Sequence, residues 1–405
     1  MNTRRSWIVV GLVAVLTGWL HFAYGSPTAE PQALPASPGT YVSPATRSAP
    51  WARMAQFPAG GQVTVTPGGV WLTYTEDGEG NPITPREFAL DITTGDMWFM
   101  SGGQAVEVSH DGEWTTYRAD DFGYGPPRDF GAVAVDEAGY TWLTMCVPYL
   151  WSDPETDGGL IAIAPDGSWT DYTHLFDMCF FEAVADRTGN KWLTERDNFV
   201  RFDGLTWDTY FSEFTGSVIE QHYAEIVTTI DRGYRRWYVE VPDRVWSFNW
   251  LIGRGVNVYD GSQWTKYTPE DGLAHEVVTS MGADHSGHKW FSTAGGVSML
   301  DDNGTLDKGD DVWTTFDLDG LDIAVDAAGN VWVTITDSVT YEWLGVAVWD
   351  GANWTIYDTA NSGLPHNRIY DIFVDDMDIK WFGTYGGLAV LINLPYRSFL
   401  PLITR

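Results

Sequence analysis

Beyond residue 60 the chain runs as short apolar stretches, each bounded by clusters of Asp, Gly, Asn and Ser. Stretches of this kind, rich in Val, Trp, Tyr and Thr, predict β-strands joined by tight turns rather than long helices. Two phrases punctuate the pattern, each in seven copies and strictly interleaved, about 40–55 residues apart. The first is an Asp, usually a Gly three residues on, and a Trp six or seven after the Asp. It occurs as Asp91…Trp98, Asp136…Trp142, Asp186…Trp192, Asp231…Trp237, Asp284…Trp290, Asp326…Trp332 and Asp375…Trp381. The second is Trp-x-x-Tyr or Trp-x-x-Phe, beginning at Trp71, Trp114, Trp169, Trp207, Trp264, Trp313 and Trp354.

The clearest copy resolves into four strands, "EVVTSMGAD", "KWFST", "GVSML" and "VWTTF", between Glu276 and Phe316. An Asp can accept backbone amides of its own turn and Gly supplies a left-handed conformation, so Asp-x-x-Gly marks the hairpin between strands one and two. Asp-Gly, as in "YDGSQWTKY" (Tyr259 to Tyr267), does the same between strands three and four.

Residue size orders these strands in space. First strands are small, as in "AVAVD" (Ala132 to Asp136) and "EAVAD" (Glu182 to Asp186), whereas fourth strands carry Trp and Tyr. A wedge with small groups at its axis and bulky ones at its rim is a propeller blade. The chain opens with a lone fourth-strand phrase, "VWLTY" (Val70 to Tyr74), and its last copy lacks one. The expectation is all-β: a seven-bladed β-propeller of four-stranded blades over 51–395, its ring closed by the N-terminal strand pairing into the last blade.

Ahead of the propeller, Arg4 and Arg5, the apolar run Trp7 to Leu20, and the small residues Ala23 and Gly25 mark 1–25 as an export signal. Residues 26–50, rich in Pro, Ala, Ser and Thr, read as a linker that builds no core, and 396–405 as a short tail. The apolar run is shorter than the ~20 residues that span a bilayer, so no membrane insertion is expected once the signal is cleaved. An uncleaved anchor is the alternative.

Composition narrows the function classes. With 44% hydrophobic and 15% aromatic residues there is ample apolar surface for a core. A net charge of −32 argues against nucleic acid as a partner, because phosphate binding needs clustered Lys and Arg, and against docking on an anionic membrane. It suits an exported monomer in the periplasm, at the cell surface or outside the cell. The two cysteines agree with an oxidising compartment. Cys146 falls just past a second strand and Cys179 just before the next first strand, on one face of adjacent blades, so a disulfide is expected.

Two segments, "GLPHNRIYDIFVDDMDIKWFGTYGGLAVL" (Gly363 to Leu391) and "DGLAHEVVTSMGADHSGHKWFSTAGGVSML" (Asp271 to Leu300), resemble the two-component-regulator propeller repeat. That repeat reads approximately Gly-Leu-Pro-x-Asn, a β run, Asp-x-x-Gly-x-x-Trp, then Gly-Thr and Gly-Gly-Leu. The other copies match in the Asp–Gly–Trp core. The resemblance implies a propeller of the kind that forms the exported sensor half of membrane histidine kinases. The sequence holds no kinase segment, so what carries over is ligand recognition, not signalling. A smaller phrase, "GNKWLTE" (Gly189 to Glu195), resembles the repeat of metal-dependent streptogramin-lyase-like propellers, although there the Thr-Glu recurs in most blades.

Candidate chemistry gathers on the face that carries the strand two-to-three loops and the blade crossings. Insertions at Cys146 to Gly159, Val241 to Gly255 and Thr336 to Gly345 bring Tyr149, Trp151, Trp246, Trp250 and Trp343. Loop aromatics that no core requires are platforms for sugar rings, whose C–H faces pack on indole. The crossings add Arg86, Arg128, His275, Glu276, His366 and Arg368, suited to carboxylates or ring hydroxyls. No catalytic set or metal ligands stand out. "DDNGTLDKGDD" (Asp301 to Asp311) has the look of a calcium loop but lacks its Gly at position six and Glu at twelve, so no cofactor is expected, with calcium there as the alternative. The functional expectation is a non-catalytic propeller that recognises an extracellular glycan or protein ligand; the alternative is a metal-dependent lyase.

Overall fold

The computed structural model describes residues 61–393 apart from 109–111, 125–127, 147–157, 174–179, 181, 186–190, 195–197, 203–205, 212–234, 241–243, 250–254, 260–263, 285, 306, 338–339 and 376. Among the described residues all regular structure is β apart from the 3-10 turn Ala119–Phe122 and a 3-10 position at Thr173. The first two strands are β1 (Gln62–Thr66) and β2 (Gly69–Tyr74). The next sheet holds β3 (Arg86–Leu90), β4 (Met97–Ser101), β5 (Gln104–Val108) and β6 (Trp114–Tyr117). Then come β7 (Asp129–Val135), β8 (Thr141–Cys146), β9 (Gly158–Ile163) and β10 (Trp169–Asp171), followed by β11 (Glu182–Ala185), β12 (Lys191–Thr194), β13 (Asn198–Phe202) and β14 (Trp207–Phe211). The fourth sheet holds β15 (Arg235–Glu240), β16 (Arg244–Asn249), β17 (Val256–Tyr259) and β18 (Trp264–Tyr267). The fifth holds β19 (Val278–Ala283), β20 (Lys289–Thr293), β21 (Gly296–Asp301) and β22 (Val312–Phe316). The sixth holds β23 (Gly320–Val325), β24 (Val331–Thr336), β25 (Trp343–Trp349) and β26 (Trp354–Tyr357).

These six are antiparallel four-stranded meanders. The last strands, β27 (Ile369–Val374), β28 (Lys380–Thr384) and β29 (Gly387–Ile392), form a seventh sheet with the chain's beginning, in the order β1-β2-β29-β28-β27. The lone phrase "VWLTY" therefore pairs where the repeat register places it, from Val70 opposite Ile392 to Tyr74 opposite Leu388. The fifth strand of this sheet goes beyond the repeat pattern. β1 pairs antiparallel with β2 across the turn Thr66-Pro-Gly-Gly69 and leaves Val63 and Val65 on the surface.

The Asp…Trp spacing has a physical cause. In four copies one carboxylate oxygen accepts the amides two and four residues on, as Asp326 does from Ala328 and Asn330, and Asp375 from Met377 and Ile379. The other oxygen accepts the indole N–H six residues on, at 3.1 Å in Asp136–Trp142, 3.0 Å in Asp284–Trp290, 3.0 Å in Asp326–Trp332 and 3.1 Å in Asp375–Trp381. One carboxylate thus fixes its own turn and the ring on the next strand.

First strands carry a second recurrent device. Five of them, β3, β7, β19, β23 and β27, break register opposite the second strand in a bulge. A bulge frees an amide from the ladder. The buried hydroxyl of Thr144 accepts the Ala132 amide at 2.9 Å, and that of Thr334 accepts the Asp322 amide at 2.9 Å. Side chains on first strands also tie neighbouring sheets together: Asp322 accepts from Ser280 Oγ at 2.8 Å and from the Ile372 amide at 3.1 Å.

Packing follows the same order. First strands touch in succession, β3 with β7, β7 with β11, β15 with β19, β19 with β23, β23 with β27, and β27 with β3. Each core cluster lies between two successive sheets. Trp332, Val346 and Val348 of the sixth sheet meet Phe382, Ala389 and Leu391 of the last. Val390 and Trp381 of the last sheet meet Met97, Phe99 and Val106 of the β3–β6 sheet.

The fourth sheet corrects the sequence reading. The expectation set Asp231…Trp237 across the hairpin between strands one and two and put Trp246 in the following loop. Trp237 instead lies on the first strand, β15, and Trp246 on the second, β16, opposite Tyr238 and Val258. Residues 241–243, between these two strands, lie outside the described residues.

Candidate functional site

The connections between second and third strands show what the fold needs on this face and what it does not. In the fifth sheet, Thr293 Oγ1 accepts the Gly295 amide at 3.1 Å and donates to the Gly296 carbonyl at 2.6 Å, while the Ala294 amide reaches the Val277 carbonyl. In the last sheet Thr384, Gly386 and Gly387 repeat the turn, and the Tyr385 amide reaches the Arg368 carbonyl at 2.9 Å. The crossings match as well. His275 Nδ1 accepts the Val277 amide at 3.0 Å, and His366 Nδ1 accepts the Arg368 amide at 2.8 Å. An accepting Nδ1 places the ring proton on Nε2 in the neutral imidazole.

One scaffold thus appears twice with different side chains on it. Ala294, Val277 and Thr279 in the fifth sheet correspond to Tyr385, Arg368 and Tyr370 in the last. The backbone forms equally well with the small set. The aromatic and cationic set is not there for the turn.

In the last sheet that set converges. The Arg368 guanidinium lies 5.1 Å from the ring centre of Tyr370, 5.4 Å from that of Trp343 and 5.8 Å from that of Tyr385. Arg86, on the neighbouring β3, lies 4.1 Å from the Tyr370 ring. The His366 ring meets Tyr385 edge-on at 5.3 Å. Gly383 allows the approach of β3, because a Cβ there would collide with the Pro85 carbonyl. Three sheets therefore contribute to one cluster. Tyr385 is 56% exposed, and Tyr341, two residues before Trp343, is 82% exposed. Tyr341 holds φ at 58°, a left-handed conformation rare for a bulky residue, with its amide on the Asp337 carbonyl.

Of the residues expected from sequence, Trp343, His366 and Arg368 meet here. Trp343 opens β25 rather than sitting in a loop, paired with Thr336 across an irregularity. His275 and Glu276 occupy the equivalent crossing of the fifth sheet, apart from the cluster. Arg128 stands beside β7 with its guanidinium 4.7 Å from the Tyr124 ring. Tyr149, Trp151 and Trp250 lie outside the described residues, as does Cys179. Cys146, at the end of β8, is disulfide-bonded. Tyr370 and Tyr385 escape sequence reasoning because each sits in a strand or turn phrase; laying one repeat over another exposes both, since small residues stand in their places.

In the acidic stretch Asp301 to Asp311 three carboxylates hold the stretch's own turns. Asp301 accepts the Asn303 amide, Asp307 the Gly309 amide, and Asp310 the Thr305 hydroxyl. Asp302 is buried against Lys289 at 3.4 Å. Burial and the neighbouring Asp302 and Asp310 carboxylates push the Asp311 carboxyl up to about 6. Among the described residues no three His, Cys, Asp or Glu side chains converge as metal ligands.

No protein-family model and no curated protein matches the chain. Solved structures do. A catalytically inactive form of virginiamycin B lyase from Staphylococcus aureus is 12% identical, with a TM-score of 0.55 over 82% of this chain and 99% of that one. YCF48 from Cyanidioschyzon merolae is 14% identical, with a TM-score of 0.55 over 82% and 99%. The WD40 β-propeller domain of Doa1 is 11% identical, with a TM-score of 0.50 over 84% and 98%. At these identities the likeness is one of fold, and the fold is a β-propeller.

Proposed function

We propose that the chain is an exported, non-catalytic seven-bladed β-propeller that recognises a carbohydrate on the face carrying the Trp343–Arg368–Tyr385 cluster. Among the described residues seven sheets, first strands in contact at six of the seven steps, and the pairing of β2 with β29 support seven blades in a closed ring. The 1–25 segment and the disulfide at Cys146 support export.

One observation carries the function. Tyr385 stands exposed on a hydrogen-bonded turn of this face where the same turn in the fifth sheet carries Ala294. An exposed ring on a fixed backbone offers a flat apolar surface at little entropic cost, which suits the C–H face of a sugar. Histidine and arginine donors beside it suit hydroxyls. The test is thermal unfolding of the full chain against a panel of oligosaccharides, with and without calcium. A ligand at a hundred times its Kd adds about 2.7 kcal/mol of stability, which is readily seen. A shift abolished by Tyr385→Ala together with Trp343→Ala establishes the site. No shift with any sugar, or turnover of a streptogramin substrate, overturns it in favour of a protein partner or a lyase.

A further inference from the structure

Cations are scarce in this chain, with 23 Lys and Arg against 55 Asp and Glu. Most of the described ones are matched. Lys191 meets Asp136 at 2.8 Å, Lys380 meets Asp326 at 3.2 Å, Lys308 meets Asp271 at 2.8 Å and Arg118 meets Glu79 at 2.7 Å. Arg86 and Arg368 differ. Both are exposed, and among the described residues neither has a carboxylate within 4.0 Å; they rest instead on a shared aromatic ring, Tyr370. Asp371, next in sequence, turns its carboxylate to the Phe88 amide at 3.3 Å.

We propose that the Arg86–Tyr370–Arg368 stack is a carboxylate-reading subsite, and that the sugar taken by this face is a uronate-bearing oligosaccharide. The inference rests on the carbohydrate reading above and adds its charge class. A guanidinium lying over a ring keeps its N–H edges free, and the planar fork matches a carboxylate through two parallel hydrogen bonds. Two such groups from different sheets, held by one ring, present donors in a fixed geometry. Tyr385 and Trp343 lie beside them to take the sugar ring.

The overall charge of −32 opposes an anion at long range. Screening limits that opposition to about 8 Å at physiological salt, whereas hydrogen-bonded contact at the stack is little screened. Charge therefore slows arrival more than it weakens a bound carboxylate. The fold has no need of the set, since its own fifth sheet builds the same scaffold with Val277 and Thr279.

The test is calorimetric titration of the full chain with trisaccharides of galacturonate and mannuronate, with their methyl esters, and with the matching neutral trisaccharides. Esterification removes the charge and leaves ring shape nearly unchanged. At least one acid is expected to bind tenfold or more tighter than its ester, with affinity falling as salt rises. Arg368→Val and Tyr370→Thr, which install the fifth sheet's own residues, are expected to erase the preference, and the exposed Arg86→Gln to weaken it without loss of folding. Equal binding of acid and ester overturns the carboxylate subsite while leaving the carbohydrate reading intact. Binding of no sugar overturns both, and binding of an acidic peptide in place of every sugar reassigns the stack to a protein ligand.

Discussion

Asp326 and Lys380 face each other at 3.2 Å across two successive sheets, with both side chains fully buried. Asp326 also holds its own turn and the Trp332 indole, and the Lys380 ammonium lies 5.8 Å from that ring. Asp136, Trp142 and Lys191 repeat the arrangement between the second and third sheets, with the ion pair at 2.8 Å. In these two copies the Asp…Trp phrase fastens its own hairpin and also receives a lysine from the next sheet.

Losing one partner of such a pair leaves a buried charge uncompensated, typically at a cost of about 3–5 kcal/mol. Lys380→Met is expected near the lower end, because Asp326 keeps its indole and amide donors. Lys308→Met, which breaks the half-exposed pair with Asp271, should cost less than ~1 kcal/mol. Urea denaturation of both variants checks the contrast.

Acid dependence follows from the same carboxylate. Burial pushes the Asp326 carboxyl up, but hydrogen bonds from Asn330 and Trp332 and the Lys380 charge together hold it below the usual range. A carboxyl lowered on folding stabilises above its unfolded value of about 3.9 and loses that contribution as pH falls through the folded value. Wild type should therefore keep this contribution down to about pH 4 and lose it below, whereas Lys380→Met, whose Asp326 carboxyl lies nearer or above the unfolded value, should lose less stability on acidification. Melting curves between pH 3 and 7 read the difference.

Asp311 has the opposite sign. Its carboxyl is raised to about 6, so the folded state prefers it protonated and stability falls as pH rises from its unfolded value of about 3.9 through 6. Both carboxylate oxygens are shielded from solvent without a hydrogen-bond donor. Asp311→Asn should raise the melting temperature by roughly 1–3 °C at pH 7.5 and leave it unchanged near pH 4. A drop at pH 7.5 would mean that the carboxylate is held by a cation.

The bulge hydroxyls carry a local cost. Thr334→Val keeps the shape but strands the Asp322 amide, which should cost about 1–3 kcal/mol. Thr144→Val should behave alike through the Ala132 amide. Thr315→Val on the exposed outer strand β22 should be nearly neutral.

Much of this architecture is written locally. Asp-x-x-Gly, Asp-Gly and the aromatic fourth strand are short-range signals, so strand order, hairpins and the seam at Val70 can be read from spacing. The fourth sheet cannot, because its Asp231…Trp237 phrase does not span the first hairpin: Trp237 lies on the first strand and Trp246 on the second. The cluster on the loop face is legible only in part. Trp343, His366 and Arg368 stand out as loop or crossing residues, whereas Tyr370 and Tyr385 look like ordinary strand and turn letters. Their role emerges from convergence of three sheets, a long-range property that no single repeat records. The Asp–Lys pairs escape the sequence for the same reason: each spans two repeats.

The most direct test of the account is titration of a uronate trisaccharide into wild type and into the Trp343→Ala, Tyr385→Ala double variant, with melting curves run in parallel. Saturable binding to wild type, reduced at least tenfold in a variant that melts within a few degrees of it, is the predicted result. Binding unchanged in that variant would place the ligand elsewhere on the protein and contradict the assignment of this face.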